Sequence, residues 1–189
     1  MHRRSLVAVL AAIGALFGSG MPAASAAPIG IGAGAARPAA AFSSTIHSAA
    51  TGTCVDVPGG TTDVNANVVG VACSGAAEQG FSFQPVAGQP AGTYNVVNAA
   101  SGLCLAQFRF GIRQSDCLHT IPESTGQMWT LLTVDAAAHE YVFEPTNQVG
   151  DTPYRCMGAT STGPGTAILG KPFYTAGTPG DVFTVVGLS

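Results

Sequence analysis

Two landmarks recur three times along this 189-residue chain, in one order and at a nearly constant interval, and that periodicity restricts the possible folds more than any other feature. The segment Ser48-Ala49-Ala50-Thr51-Gly52-Thr53-Cys54-Val55 returns as Asn98-Ala99-Ala100-Ser101-Gly102-Leu103-Cys104-Leu105, and a weaker copy runs through Asp151-Thr152-Pro153-Tyr154-Arg155-Cys156-Met157. Each copy closes alike, on Gln79-Gly80-Phe81-Ser82-Phe83, Gln127-Met128-Trp129-Thr130-Leu131 and Asp181-Val182-Phe183-Thr184-Val185. A unit this small cannot bury an apolar face by itself, so three are expected to pack around a common axis. The boundaries fall near 44–90, 91–136 and 137–187.

Within each unit the chain alternates short β-branched and aromatic runs with Gly, Pro, Asn and Asp, and no amphipathic helix of three turns can be drawn. The expected fold is therefore all-β. Strands are predicted over 66–71, 93–97, 128–132, 141–143 and 182–186, with turns at Gly59-Gly60, Ser101-Gly102 and Pro179-Gly180. Phe81, Trp129 and Phe183 occupy one place in the three copies. Each can bury about 150–250 Å², so together they should form the repeat core. The polar residue two places earlier, Gln79, Gln127 or Asp181, suits a turn where backbone groups need a partner.

Five cysteines follow the same repeat. Cys54 and Cys73 fall in the first copy and Cys104 and Cys117 in the second, so two bridges are predicted, each worth roughly 3 kcal/mol through loop closure. Cys156 takes the first position in the third copy, where Phe173 or a neighbour stands in place of a partner, and is expected to remain a packed thiol.

In Cys54-Val55-Asp56-Val57-Pro58-Gly59-Gly60, in the cysteine spacing and in three echoes of a Gln-x-Trp signature, intact only at Gln127-Met128-Trp129, residues 44–187 resemble the ricin-B-type β-trefoil lectins and carbohydrate-binding modules. The resemblance implies twelve strands in three pseudo-symmetric units, with up to one shallow sugar site per unit. Such a site combines a carboxylate that binds vicinal hydroxyls, an aromatic face and an amide. In the first unit the resemblance places Asp56 at the carboxylate, Val71 at the aromatic and Glu78 at the amide position. The corresponding residues are Ala106, Ser115 and Gly126 in the second unit, and Gly158, Lys171 and Gly180 in the third. Asp56, with Gln79, Glu78 and Asp63, is the candidate sugar-binding set. The competing role for Asp56 is to cap backbone donors in the Pro58-Gly59-Gly60 turn. Fold alone does not settle function, so two readings stay open: a carbohydrate-binding protein with at most one partly retained site, and a trefoil without sugar binding that serves as a protein interaction or inhibitory module.

The amino terminus sets the compartment. His2, Arg3 and Arg4 precede an apolar run, Leu6 to Phe17, that is too short to span a bilayer and leads to Ala24-Ser25-Ala26. This is a bacterial-type signal peptide, residues 1–26, on a secreted, extracellular protein. Ser5-Leu6-Val7 does not continue a twin-arginine signal, and no cysteine follows for a lipid anchor. Residues 27–42, rich in Ala, Gly and Pro, read as a flexible leader, and the domain as 43–189. Gly30-Ile31-Gly32-Ala33-Gly34 lacks the flanking strand and helix of a dinucleotide loop.

After cleavage five basic residues face ten acidic ones, which leaves no phosphate-binding footprint and argues against nucleic acid. Charged residues make up only 9% of the chain, against about a quarter in ordinary domains, so neutral polar groups must wet the surface. Stable membrane insertion is not expected, and the chain is expected to act as a monomer. His47, His119 and His139 stand in no catalytic motif, and the acids nominate no hydrolytic pair. Cys117-Leu118-His119 lacks a second ligand pair for a metal. Arg109 and Arg113, among Phe108 and Phe110, read as a solvated loop or a contact for a protein or acidic glycan. No enzyme, cofactor or metal is expected; the expected partner is a glycan or polysaccharide, or else another protein.

Overall fold

In the computed structural model the described residues are 40–108, 111–118, 125–146, 155–159, 166–172 and 179–186, all within the compact unit 31–189. The signal-peptide region, most of the leader, His119, Arg109 and Phe110 lie outside them.

Twelve strands form one hydrogen-bonded system. Six of them, β1 (Phe42–Ser48), β4 (Gly80–Pro85), β5 (Thr93–Asn98), β8 (Met128–Asp135), β9 (Glu140–Pro145) and β12 (Phe183–Val186), pair antiparallel in a ring that closes when β12 meets β1. The other six form three hairpins: β2 (Cys54–Asp56) with β3 (Val69–Val71), β6 (Cys104–Phe108) with β7 (Gly111–Ser115), and β10 (Arg155–Ala159) with β11 (Thr166–Pro172). The hairpins join one another through β11, which pairs with both β3 and β7. A six-stranded barrel with three hairpins is a β-trefoil. Closure leaves no barrel edge open to pairing with another chain.

One contact repeats by symmetry. The amides of Ala49, Ala99 and Thr146 donate to the carbonyls of Val182, Gly80 and Met128 at 2.9, 2.9 and 2.8 Å. In each case the residue after a barrel strand (β1, β5 or β9) is tied to the residue just before a signature aromatic, so one backbone bond holds the same place in all three units.

Phe81, Trp129 and Phe183 are buried in one apolar cluster with Ile46, Val96, Leu131 and Val185. Alternation explains this around the signature: in β4 the buried Phe81 and Phe83 flank the half-buried Ser82, and in β8 the buried Trp129 and Leu131 flank the half-buried Thr130. Trp129, 0% exposed, keeps its indole N–H satisfied by donating to the Leu105 carbonyl at 3.0 Å. Among the described residues the ring contacts run through Phe42, Phe83, Tyr94, Phe143 and Phe183, from the stacked pair Phe42–Phe83 at 4.6 Å to the edge-on pair Phe143–Phe183 at 5.8 Å. Of the three signature aromatics, only Phe183 joins that chain of rings. Phe42, read from sequence as the last leader residue, begins β1 and packs on the core.

The expected strand over 66–71 is shorter than its apolar run: Asn65 adopts φ 71°, Asn67 makes a single bridge to Arg113, and β3 begins only at Val69. The bridges Cys54–Cys73 and Cys104–Cys117 are both present, each with Cα atoms 5.0 Å apart. Cys156 is outside both bridges and buried.

Candidate functional site

Each copy of the closing signature folds as one 3-10 turn followed by a barrel strand: Ala77–Gln79, Thr125–Gln127 and Pro179–Asp181. The last residue of each turn is buried, and a buried amide or carboxylate must find partners. Gln79 and Gln127 find them in the same way. Gln79 Oε1 accepts from the Ser74 amide at 2.8 Å, and Nε2 donates to the Ala72 carbonyl at 3.1 Å. Gln127 Oε1 accepts from the Leu118 amide at 2.8 Å, and Nε2 donates to the Asp116 carbonyl at 2.6 Å. The glutamine thus staples the chain on both sides of the second cysteine of its bridge.

In the first repeat a carboxylate joins this staple. Asp56, on β2 beside Val69 of β3, accepts the second Nε2 hydrogen of Gln79 at 3.0 Å through Oδ2. Asp56 is 6% exposed and Gln79 2%, so the bond is largely shielded from water and correspondingly firm. In the equivalent registers Ala106 faces Arg113 and Gly158 faces Leu169. The turn-capping alternative for Asp56 is not what the fold uses: the Pro58–Gly60 turn has no side-chain cap at Val57, and Gly60 donates instead to the Val57 carbonyl at 2.9 Å.

Glu78 contributes through its backbone. Its carbonyl accepts from the Val57 amide at 3.2 Å and from Asn98 Nδ2 at 2.8 Å, which fixes the turn against both β2 and the second repeat. An added Cβ on Gly60 would stand 3.9 Å from Glu78 Cβ, so the Glu78 side chain starts beside the Pro58–Gly60 turn. Asp56, Gln79 and Glu78 are therefore brought together by β2 and the two 3-10 turns.

Asp63 belongs to a different feature. It is exposed, and its carbonyl accepts from Gln114 Nε2 at 2.9 Å. Gln114, fully buried on β7, also donates to the Thr61 carbonyl at 2.7 Å and accepts from Ser101 Oγ at 2.8 Å. This cross-repeat staple is invisible in the sequence, because Gln114 and Thr61 are far apart along the chain. Asn98 had a legible signal: Ser48 and Asn98 head matching turns, and each side chain accepts from the backbone three residues on, Thr51 at 3.4 Å and Ser101 at 3.1 Å.

Val71, at the position where the lectin resemblance expects an aromatic ring, is half-buried and pairs with Cys54. Arg113 is exposed and Phe108 partly so. His139 sits in the β8–β9 turn at φ 55°. Among the described residues the donor atoms of His47, Cys54 and Cys73 all lie within 4.8 Å of one another. The two sulfurs are bonded to each other, so this group is an imidazole against a disulfide. No helix among the described residues is long and apolar enough to cross a membrane.

Residues 40–109 match the family model described as ricin-type beta-trefoil lectin domain-like. No curated protein matches the chain. Among solved structures, the designed 3-fold symmetric protein ThreeFoil is similar with a TM-score of 0.63 at 19% identity, over 77% of this chain and 99% of its own. The agglutinin of Rhizoctonia solani gives 0.60 at 12% identity, over 77% and 94%. The C-terminal half of the earthworm R-type lectin, solved in complex with GalNAc, gives 0.54 at 10% identity, over 76% and 96%. At these identities the structural likeness carries the fold.

Proposed function

We propose that this chain, a β-trefoil similar to the ricin-type lectin-like domains, is a secreted carbohydrate-binding protein with one site, in its first repeat. The observation that carries the reading is the Asp56–Gln79 pair. Of the three symmetry-related positions only this one holds a carboxylate, and it is buried, hydrogen-bonded and framed by two surface turns. With Oδ2 oriented by Gln79, Asp56 has acceptor capacity left for sugar hydroxyls, the charge-assisted contact that vicinal diols make best. Glu78 lies at the rim and is the second polar contact. The protein acts without catalysing a reaction, as a monomer outside the cell, where its two disulfides persist.

Val71 supplies no ring on which a sugar can pack, so affinity rests on a few hydrogen bonds. A dissociation constant on the order of millimolar is expected, since each net hydrogen bond adds only about 1 kcal/mol against the cost of association. A glycan array followed by titration calorimetry of the mature protein tests the site. Binding that Asp56→Asn abolishes, with Trp129 fluorescence unchanged, supports it. Binding indifferent to Asp56→Asn moves the site elsewhere, and no binding with glycan raised to about ten times the millimolar constant expected favours the second reading. That reading, a protein interaction or inhibitory module, draws its support from the same missing ring.

A further inference from the structure

The bridge of the first repeat has a neighbour that is not found at the matching position of the second repeat. His47 on β1 stands in register with Cys54 on β2; the matching pair in the second repeat is Val97 with Cys104. His47 Nδ1 lies 3.5 Å from Cys73 Sγ and 3.7 Å from Cys54 Sγ. The other ring nitrogen, Nε2, is 2.8 Å from Thr45 Oγ1 and 3.8 Å from Cys54 Sγ. When the Thr45 hydroxyl donates to Nε2, the ring proton resides on Nδ1, the nitrogen nearer to both sulfurs. The two sulfurs differ in access: Cys73 is exposed, and Cys54 is buried.

We propose that Cys54–Cys73 is a thiol-exchange site, which a low-molecular-weight thiol or dithiol opens from the Cys73 side with His47 assisting departure of Cys54. The incoming thiolate bonds to Cys73 Sγ, the S–S bond breaks, and its electron pair leaves on Cys54 Sγ. A thiolate released in a buried position is costly by itself. His47 offsets that cost by donating its Nδ1 hydrogen to the departing sulfur, a charge-assisted bond that lowers the basicity of the leaving thiol and so speeds its release. With a monothiol the product is a mixed disulfide at Cys73 and a thiol at Cys54. With a dithiol the second thiolate displaces Cys73, leaving two thiols on the protein and the reagent oxidised to its own cyclic disulfide. Cys104–Cys117, flanked by Val97, serves as an internal reference in the same molecule.

The folded protein is incubated with dithiothreitol or, separately, with glutathione, quenched by alkylation at intervals, and mapped by peptide mass spectrometry. Cys54–Cys73 should open before Cys104–Cys117, and the glutathione adduct should sit on Cys73. His47→Val, which installs the residue of the second repeat, should slow the first bridge by about tenfold, the loss of one hydrogen bond to a charged group, and leave the second unchanged. The reciprocal Val97→His should speed opening of Cys104–Cys117. An unchanged ratio of the two rates in His47→Val overturns the proposal, as does an adduct on Cys54. Trp129 emission reports folding throughout; should His47→Val lose its native emission, Val97→His decides, and no acceleration there overturns the proposal.

Discussion

Gln79 answers to two demands at once, those of a turn and those of a carboxylate. Its amide satisfies the Ser74 N–H, the Ala72 carbonyl and Asp56 together, so Gln79→Ala should cost about 1–3 kcal/mol by leaving buried polar groups unpaired. Urea unfolding followed by Trp129 fluorescence measures this, with Glu78→Gln, whose structural contacts run through its backbone, expected to stay near the wild type. Glu144 presents the opposite case. Half-buried on β9 opposite Thr130, its carboxyl is pushed above the usual range by burial. An acid whose folded pKa is raised holds its proton longer in the native state, so the contribution of Glu144 to stability is fully present below the ordinary Glu value of about 4.3 and is lost as pH rises through the raised one. Glu144→Gln should therefore raise the thermal midpoint at pH 7, with the gap over the wild type closing as pH drops toward 4. A series of melting curves across that range checks the sign.

At the level of turns and strands the repeat dictates where glycine is needed. Gly52 and Gly102 hold the same place in successive units, at φ 67° and 71°, and nothing lies within 4 Å of a Cβ added to either. Their cost on substitution is thus purely conformational. Gly52→Ala and Gly102→Ala should each lose about 1–2 kcal/mol, in equal measure, which paired denaturation curves will show. This equivalence was legible from the sequence, as were the two bridges, the buried signature aromatics and the stapling role of Gln79 and Gln127. All of these sit at fixed offsets from a repeated landmark. What stayed hidden depends on register between distant strands: the Asp56–Gln79 bond, the reach of Gln114 to Thr61, the rings of Phe42 and Phe143 meeting through Phe83, and His47 against the disulfide. Asp56 and Gln79 stand in one candidate set on the sequence, but the bond between them comes only with the folded geometry. Asp63 stands in the same set, and the link of its carbonyl to Gln114 is a further contact that only the fold brings.

Over the whole molecule, three unequal copies share one interior. The first has a carboxylate and a histidine-flanked bridge, the second an intact Gln-x-Trp signature and a bridge in register with Val97, and the third the signature aromatic Phe183 with Cys156 outside both bridges. The core is common, and the first and second copies differ at their surfaces while sharing the symmetry-related backbone bond. The seam of the barrel adds something more. Thr45 near the start of β1 faces Val186 at the end of β12, so first and last strands lie side by side and the polypeptide's point of entry is arbitrary with respect to the fold. Joining those strands by a short tether and opening the exposed turn around Gly88 would yield a gene read in a rotated order, whose product has the same barrel, the same interior and new ends on the opposite side of a repeat boundary.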